Sequence, residues 1–82
     1  MLVCGSGVGV SIVANKVRGV RAINAHDPEE VQLSRAHNDV NVVALSGTRL
    51  DGPAADAIVQ AFIEGKFEGG RHARRVAAIE GD

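Results

Sequence analysis

The sequence predicts an α/β fold: a parallel sheet of about three strands with flanking helices, ending in a C-terminal helix. Two observations predict it. Short apolar runs at residues 1–4, 20–25 and 41–45 alternate with longer segments of helical character, and repeats of this kind give parallel sheets with right-handed crossovers. The first run also leads straight into Cys4-Gly5-Ser6-Gly7-Val8-Gly9, a link able to turn tightly from a strand end into a helix start.

Taken in order, Met1-Leu2-Val3 reads as the tail of a buried strand that ends at Cys4. Residues 10–17 are small and apolar, suited to a helix packed on a sheet, with Gly19 ending it. After the strand at 20–25, Asp27 is placed as an N-cap, with Pro28 at the first helical position and Glu30 three residues past the cap. That helix is expected to run to about residue 36, leaving His37-Asn38-Asp39 as a loop before the strand at 41–45. Residues 51–64 carry an apolar face at Ala54, Ala55, Ile58, Val59, Phe62 and Ile63, spaced by threes and fours. Gly65, Gly69 and Gly70 punctuate, and residues 71–80 form a last, basic helix. The layout is Rossmann-like. A buried parallel strand normally has neighbours on both edges, so residues 1–82 are expected to form a single partial domain, truncated to about three strands.

Composition narrows the function. With 82 residues there is room for one small core. Hydrophobic residues make up 45%, but the only aromatics are Phe62 and Phe67, so a stacking platform for nucleic acid has almost nothing to build with. Net charge is −1, giving no field that steers the chain to DNA or an anionic membrane. Arg outnumbers Lys seven to two, and Arg forks match phosphate, so a local anion site is expected. The single Cys makes no internal disulfide, no Cys/His spacing suggests zinc, and no segment approaches the ~20 apolar residues of a membrane span. The expectation is a soluble cytoplasmic chain with no metal and no partnership with nucleic acid or membrane.

The glycine loop offers several backbone N–H groups to one anion near a helix N-terminus, or is merely a tight turn. It lacks the Gly-Lys-Ser/Thr of a phosphate-binding P-loop. A dinucleotide fingerprint would need its third glycine where Val10 stands, although Asp27 lies near the distance of a ribose-binding acid. Cys4, where strand meets loop, is either a small core residue or a thiol activated by the helix N-terminus. The second placement would suit a base that moves a proton on carbon, with loop N–H groups meeting the developing oxyanion. His37 and Asn38 read as solvated turn residues or as functional loop residues on an α/β scaffold. In Arg71-His72-Ala73-Arg74-Arg75, a solvated face is one reading. The other is a phosphate clamp, since Arg71 and Arg75 are four apart.

Taken together, Val3-Cys4-Gly5-Ser6-Gly7-Val8-Gly9, Ala14-Asn15-Lys16, Gly19-Val20-Arg21-Ala22, Leu33-Ser34-Arg35-Ala36-His37-Asn38-Asp39 and Phe67-Glu68-Gly69-Gly70-Arg71-His72, ending at Arg75, resemble the ribose-5-phosphate isomerase B and galactose-6-phosphate isomerase family. The resemblance runs in order along nearly the whole chain. It implies a doubly wound parallel fold and a homodimer with active sites shared at the subunit interface. It also implies interconversion of aldose and ketose phosphates through a cis-enediolate, without a cofactor. By the same resemblance Cys4 is the base, as in the branch that uses cysteine; the other branch has a Glu where Val10 stands. The resemblance has Gly5, Gly7, Val8 and Gly9 holding the enediolate, Ser6 assisting protons at the oxygens, and His37 opening the sugar ring. Asn38 is to bind hydroxyls, and Arg71 and Arg75 the phosphate. It further implies about two more strands and helices ahead of Met1. Two other functions stay open beside it: a phosphosugar-binding module without catalysis, and a nucleotide-binding half-domain.

Overall fold

The structure, a computed structural model, describes residues 1–81. Seven elements follow one another: β1 (Leu2–Cys4), α1 (Val8–Asn15), β2 (Ala22–Asn24), α2 (Pro28–Asn38), β3 (Val42–Ser46), α3 (Gly52–Glu64) and α4 (Arg71–Glu80). The three strands form one parallel sheet in the order β1-β3-β2. Leu2 pairs with Ala44 and Cys4 with Ser46 on one side of β3, and Ala22 pairs with Val42 on the other. The chain crosses the sheet from β1 to β2 and comes back to β3, so right-handed crossovers put α1 and α2 on opposite faces. The α3 helix packs beside α2.

The central strand β3 is covered on both faces, and Val43, Ala44, Leu45 and Ser46 are buried in succession. Around it Ala25, Val31, Val43, Leu45, Ile58 and Ala61 form the core, with Ile23, Leu50, Ala55, Val59 and Phe62 packed against them. The edge strand β1 is different: Val3 stays 57% exposed, and Val8, Ile12, Val13 and Val17 in and after α1 are exposed too.

The helix starts follow their caps. Asp27 Oδ1 accepts the Glu30 N–H at 2.8 Å, and the Glu30 carboxylate accepts the His26 N–H at 2.9 Å. Asp51 Oδ1 accepts the Ala54 N–H at 2.8 Å, with Pro53 in the first turn. Several boundaries differ from the sequence reading, those of β3 and α3 by a single residue. The first helix begins at Val8 rather than residue 10 and ends at Asn15, before Gly19; that glycine instead closes the following turn at φ +86°. The second strand is confined to Ala22–Asn24. The largest difference is α2, which runs through His37 and Asn38 and stops at Asp39, left-handed at φ 49° with its N–H on Ser34 O. His37 and Asn38 are therefore on a last helical turn, not in a loop.

Arginines tie the periphery together. Arg21, at the entry to β2, donates to Asp39 O at 2.8 Å, pairs with the Asp39 carboxylate at 3.2 Å and with Glu80 at 2.6 Å. Arg35 donates to Val40 O at 2.6 Å and to Gly65 O at 3.0 Å, and lies over the Phe62 ring. Among the described residues, no helix is long and apolar enough to cross a membrane.

Candidate active site

At the C-terminal end of the sheet, the glycine loop wraps around a sulfur atom. Gly7 is buried and left-handed at φ +81°, caps α1, and aims its N–H at Cys4 Sγ at 3.2 Å. The backbone N–H of Val10 is the largest influence holding the Cys4 thiol below its ordinary value. Desolvation opposes it, and the N–H groups of Gly7, Ser6 and Gly9 add to it. Negative charge on sulfur is thus favoured by a ring of peptide dipoles rather than by a neighbouring cation. Ser6 Oγ accepts the Val8 N–H at 3.2 Å, so that one donor of the loop is already engaged.

The loop is held from two sides. Ser46 Oγ and Thr48 Oγ1 both donate to Gly5 O, at 2.6 and 2.7 Å, and the Gly47 N–H donates to Cys4 O at 2.7 Å. Ser46 is 1% exposed and also accepts the Arg49 N–H at 3.1 Å. Across the loop, Asn24 Nδ2 donates to Ser6 O at 3.1 Å. A Cβ on Gly7 would overlap Asn24 Oδ1 and approach the Leu45 carbonyl carbon to 3.1 Å, so only glycine fits there. The sequence reading passed over Ser46, Thr48, Arg49 and Asn24. Asp27, the residue at ribose-binding distance, is engaged as the N-cap of α2.

The other expected site residues lie at the opposite end. Cys4 is in register with Ser46, the last residue of β3, whereas α2 delivers His37 and Asn38 next to the start of that strand at Val42. Four strand steps at ~3.3 Å put about 13 Å of sheet between the two groups. There, His37 stacks on His72 with centroids 4.3 Å apart and planes at 16°. Glu68 Oε1 lies 3.5 Å from His72 Nε2 and 4.0 Å from His37 Nε2. Arg75 Nη1 is 3.2 Å from His72 Nδ1. Arg71 opens α4 and Arg75 follows one turn later, both exposed. The structure thus joins the loop residues to Cys4, and His37 to Arg75, but does not bring these halves together in one chain. The reading of the basic cluster as a solvated face fails at His72, which is 4% exposed. Burial, then the charges of His37, Arg71 and Arg75, hold its imidazole below its ordinary value, while Glu68 acts the other way.

The comparisons with known proteins agree along the chain. The family described as Ribose/Galactose Isomerase matches residues 1–79. Ribose-5-phosphate isomerase B of Escherichia coli is 51% identical over 80 residues, which cover 96% of this chain and 53% of that protein. The crystal structure of a ribose 5-phosphate isomerase from Thermotoga maritima superposes with a TM-score of 0.94 at 41% identity, covering 99% of this chain and 56% of the other. Ribose-5-phosphate isomerase B from Mycoplasma genitalium, solved with bound ribulose 5-phosphate, gives 0.92 at 42% identity, over 96% and 52%. The chain spans about half the length of the curated relatives it matches. On the strength of the matched sequence, the parallel sheet and the thiol-bearing glycine loop, this chain belongs to the ribose/galactose isomerase family.

Proposed function

We propose that the chain carries the proton-transfer machinery of an aldose–ketose isomerase of the ribose 5-phosphate type, with Cys4 as the base. The observation that carries this reading is the sulfur at the focus of the glycine loop, with Gly7 N–H at 3.2 Å and three further N–H groups favouring its charge. The Cys4 thiolate takes the proton from C2 of the open-chain aldose. The C–H electron pair becomes the C1=C2 bond, and negative charge moves onto O1, where the N–H groups of Gly5 and of Gly9, the latter released from the sulfur once the thiol holds the proton, stabilise it. The thiol then returns its proton to C1, while the C2 hydroxyl proton passes to O1 and leaves C2 as a carbonyl. Ser6 Oγ serves that transfer between oxygens. The Val8 N–H joins the anion site only when Ser6 turns away from it.

His37 opens the furanose by moving a proton to the ring oxygen, Asn38 binds hydroxyls, and Arg71 with Arg75 seats the phosphate. With about 13 Å of sheet between Cys4 and His37, a homodimer is the assembly we infer, each site joining the thiol end of one copy to the His37 end of the other. The Mycoplasma relative, solved with ribulose 5-phosphate, favours a pentose phosphate substrate.

Deuterium incorporation tests the reading directly. Ribose 5-phosphate incubated with the chain in D2O is expected to gain deuterium at C2 and to yield ribulose 5-phosphate labelled at C1. Cys4→Ala is expected to slow exchange by about 10²- to 10⁴-fold while leaving phosphosugar binding intact. A near-normal rate in that variant removes Cys4 from the mechanism. The separation of the two clusters also favours a second reading, a phosphosugar-binding module without turnover. Protection by the phosphosugar with no exchange would mark it.

A further inference from the structure

The end of the molecule remote from the thiol holds a bridge of side chains that the isomerase reading uses only in part. The Glu68 N–H donates to Ala36 O at 3.1 Å, pinning the linker between α3 and α4 across the last turn of α2. From that anchor the carboxylate faces Nε2 of both stacked imidazoles, at 3.5 Å for His72 and 4.0 Å for His37. On the far side of the buried ring, Arg75 lies 3.2 Å from His72 Nδ1. A guanidinium only donates, so Nδ1 accepts, and a neutral His72 carries its proton on Nε2, toward Glu68.

His37, Glu68 and His72 also place three possible metal ligands within 4.8 Å of one another, a cluster that Cys/His spacing did not reveal. Their geometry suits an electrostatic bridge, a carboxylate set against two stacked imidazoles, better than an ion. Rings inclined by 16° share no plane in which one ion meets both lone pairs, and the Arg75 contact leaves the proton on the His72 nitrogen that would have to bind it.

We propose that Glu68 and His72 are positioning residues for sugar-ring opening. Glu68 orients the His37 imidazole through Nε2, and His72 ties that imidazole to Arg75, making the phosphate seat and the ring-opening group one unit. The proposal rests on the reading that His37 opens the ring.

The chemistry of the two sugars separates this role from a structural one. Ribose 5-phosphate is mostly a furanose. Ribulose 5-phosphate has no free 5-hydroxyl with which to close one, so proton exchange at its C1 requires Cys4 but no ring opening. Glu68→Gln is expected to lower kcat from ribose 5-phosphate about tenfold and to leave C1 exchange in ribulose 5-phosphate within about twofold. His72→Asn, which keeps an acceptor for Arg75 but removes the stacked ring, is expected to do the same. His72→Ala, lacking that acceptor, is expected also to raise KM for both sugars. Equal losses on both sugars, or no loss on either, overturn the proposal. His37→Ala separates the two ideas: if it spares ribose 5-phosphate turnover, the ring-opening reading has failed. If it abolishes that turnover while Glu68→Gln does not, only the positioning role has. A readout independent of turnover is the nitrogen-15 spectrum of His72 at neutral pH. A proton on Nε2 is expected, and a proton on Nδ1 would overturn the bridge.

Discussion

Replacing Gly7 with alanine perturbs fold and site at one atom. Gly7 sits at φ +81°, where an L side chain costs about 1–2 kcal/mol. Its new Cβ would overlap Asn24 Oδ1, with Asn24 Cγ at 2.9 Å and the Leu45 carbonyl carbon at 3.1 Å. Asn24 is held by its bond to Ser6 O and Leu45 is backbone of the central strand, so neither gives way freely, and overpacking adds about 1–3 kcal/mol. The sum, about 2–5 kcal/mol, is a large share of the roughly 5–15 kcal/mol that stabilises a small domain. Two other glycines of the same loop are internal controls, because a Cβ on Gly5 or Gly9 meets nothing within 4 Å. Gly5→Ala is expected to be near neutral. Gly9→Ala, inside α1, is expected to stabilise by up to about 0.5 kcal/mol through helix propensity. Urea unfolding of the three variants reads these differences. A Gly7→Ala variant within about 0.5 kcal/mol of Gly5→Ala would refute the account of the loop. Thiol alkylation against pH reads the same change at sulfur. The wild-type midpoint should lie below the ordinary 9.0, and Gly7→Ala should raise it, because the N–H aimed at Sγ is displaced.

Acid should weaken the fold in two stages. His72 is held below its ordinary 6.5 by burial and neighbouring positive charge, so the unfolded chain binds the proton first. Its contribution is full above pH 6.5 and is lost as pH falls toward the folded value. Glu80 is held below its ordinary 4.5, chiefly by its hydrogen bond from Arg21, so its contribution is full above pH 4.5 and is lost further down. Melting temperature against pH should therefore decline below 6.5, and His72→Phe should flatten that upper part of the decline while leaving the lower part. Arg35→Met should cost about 2 kcal/mol in urea unfolding, because the aliphatic stem survives but the carbonyls of Val40 and Gly65 lose their charged donor. An unchanged midpoint would show that Arg35 does not join α2 to the end of α3.

The alternation of apolar runs and helical segments was enough to reveal the parallel sheet, because the cap at Asp27 and the glycine loop are local signals. The end of α2 was not legible. His37-Asn38-Asp39 has the composition of a turn, yet the helix continues until Asp39 adopts the left-handed region and returns its N–H to Ser34 O. The clamp on Gly5 O was invisible for another reason: Ser46 and Thr48 reach it from 41 and 43 residues away, and no spacing rule relates them. The burial of His72 follows from the docking of α4 on α2, whereas the sequence shows only a basic run. The resemblance named both groups of candidate residues, but their separation emerged from the strand register.

That separation has a genetic consequence. If each site draws its thiol from one chain and its imidazole from another, a lesion at Cys4 in one chain and a lesion at His37 in its partner fall in the same site. A mixed dimer of the two defective chains then still holds one undamaged pairing. Two recessive alleles of a single gene would complement each other, as though they lay in separate genes, while two alleles at the same end of β3 would not.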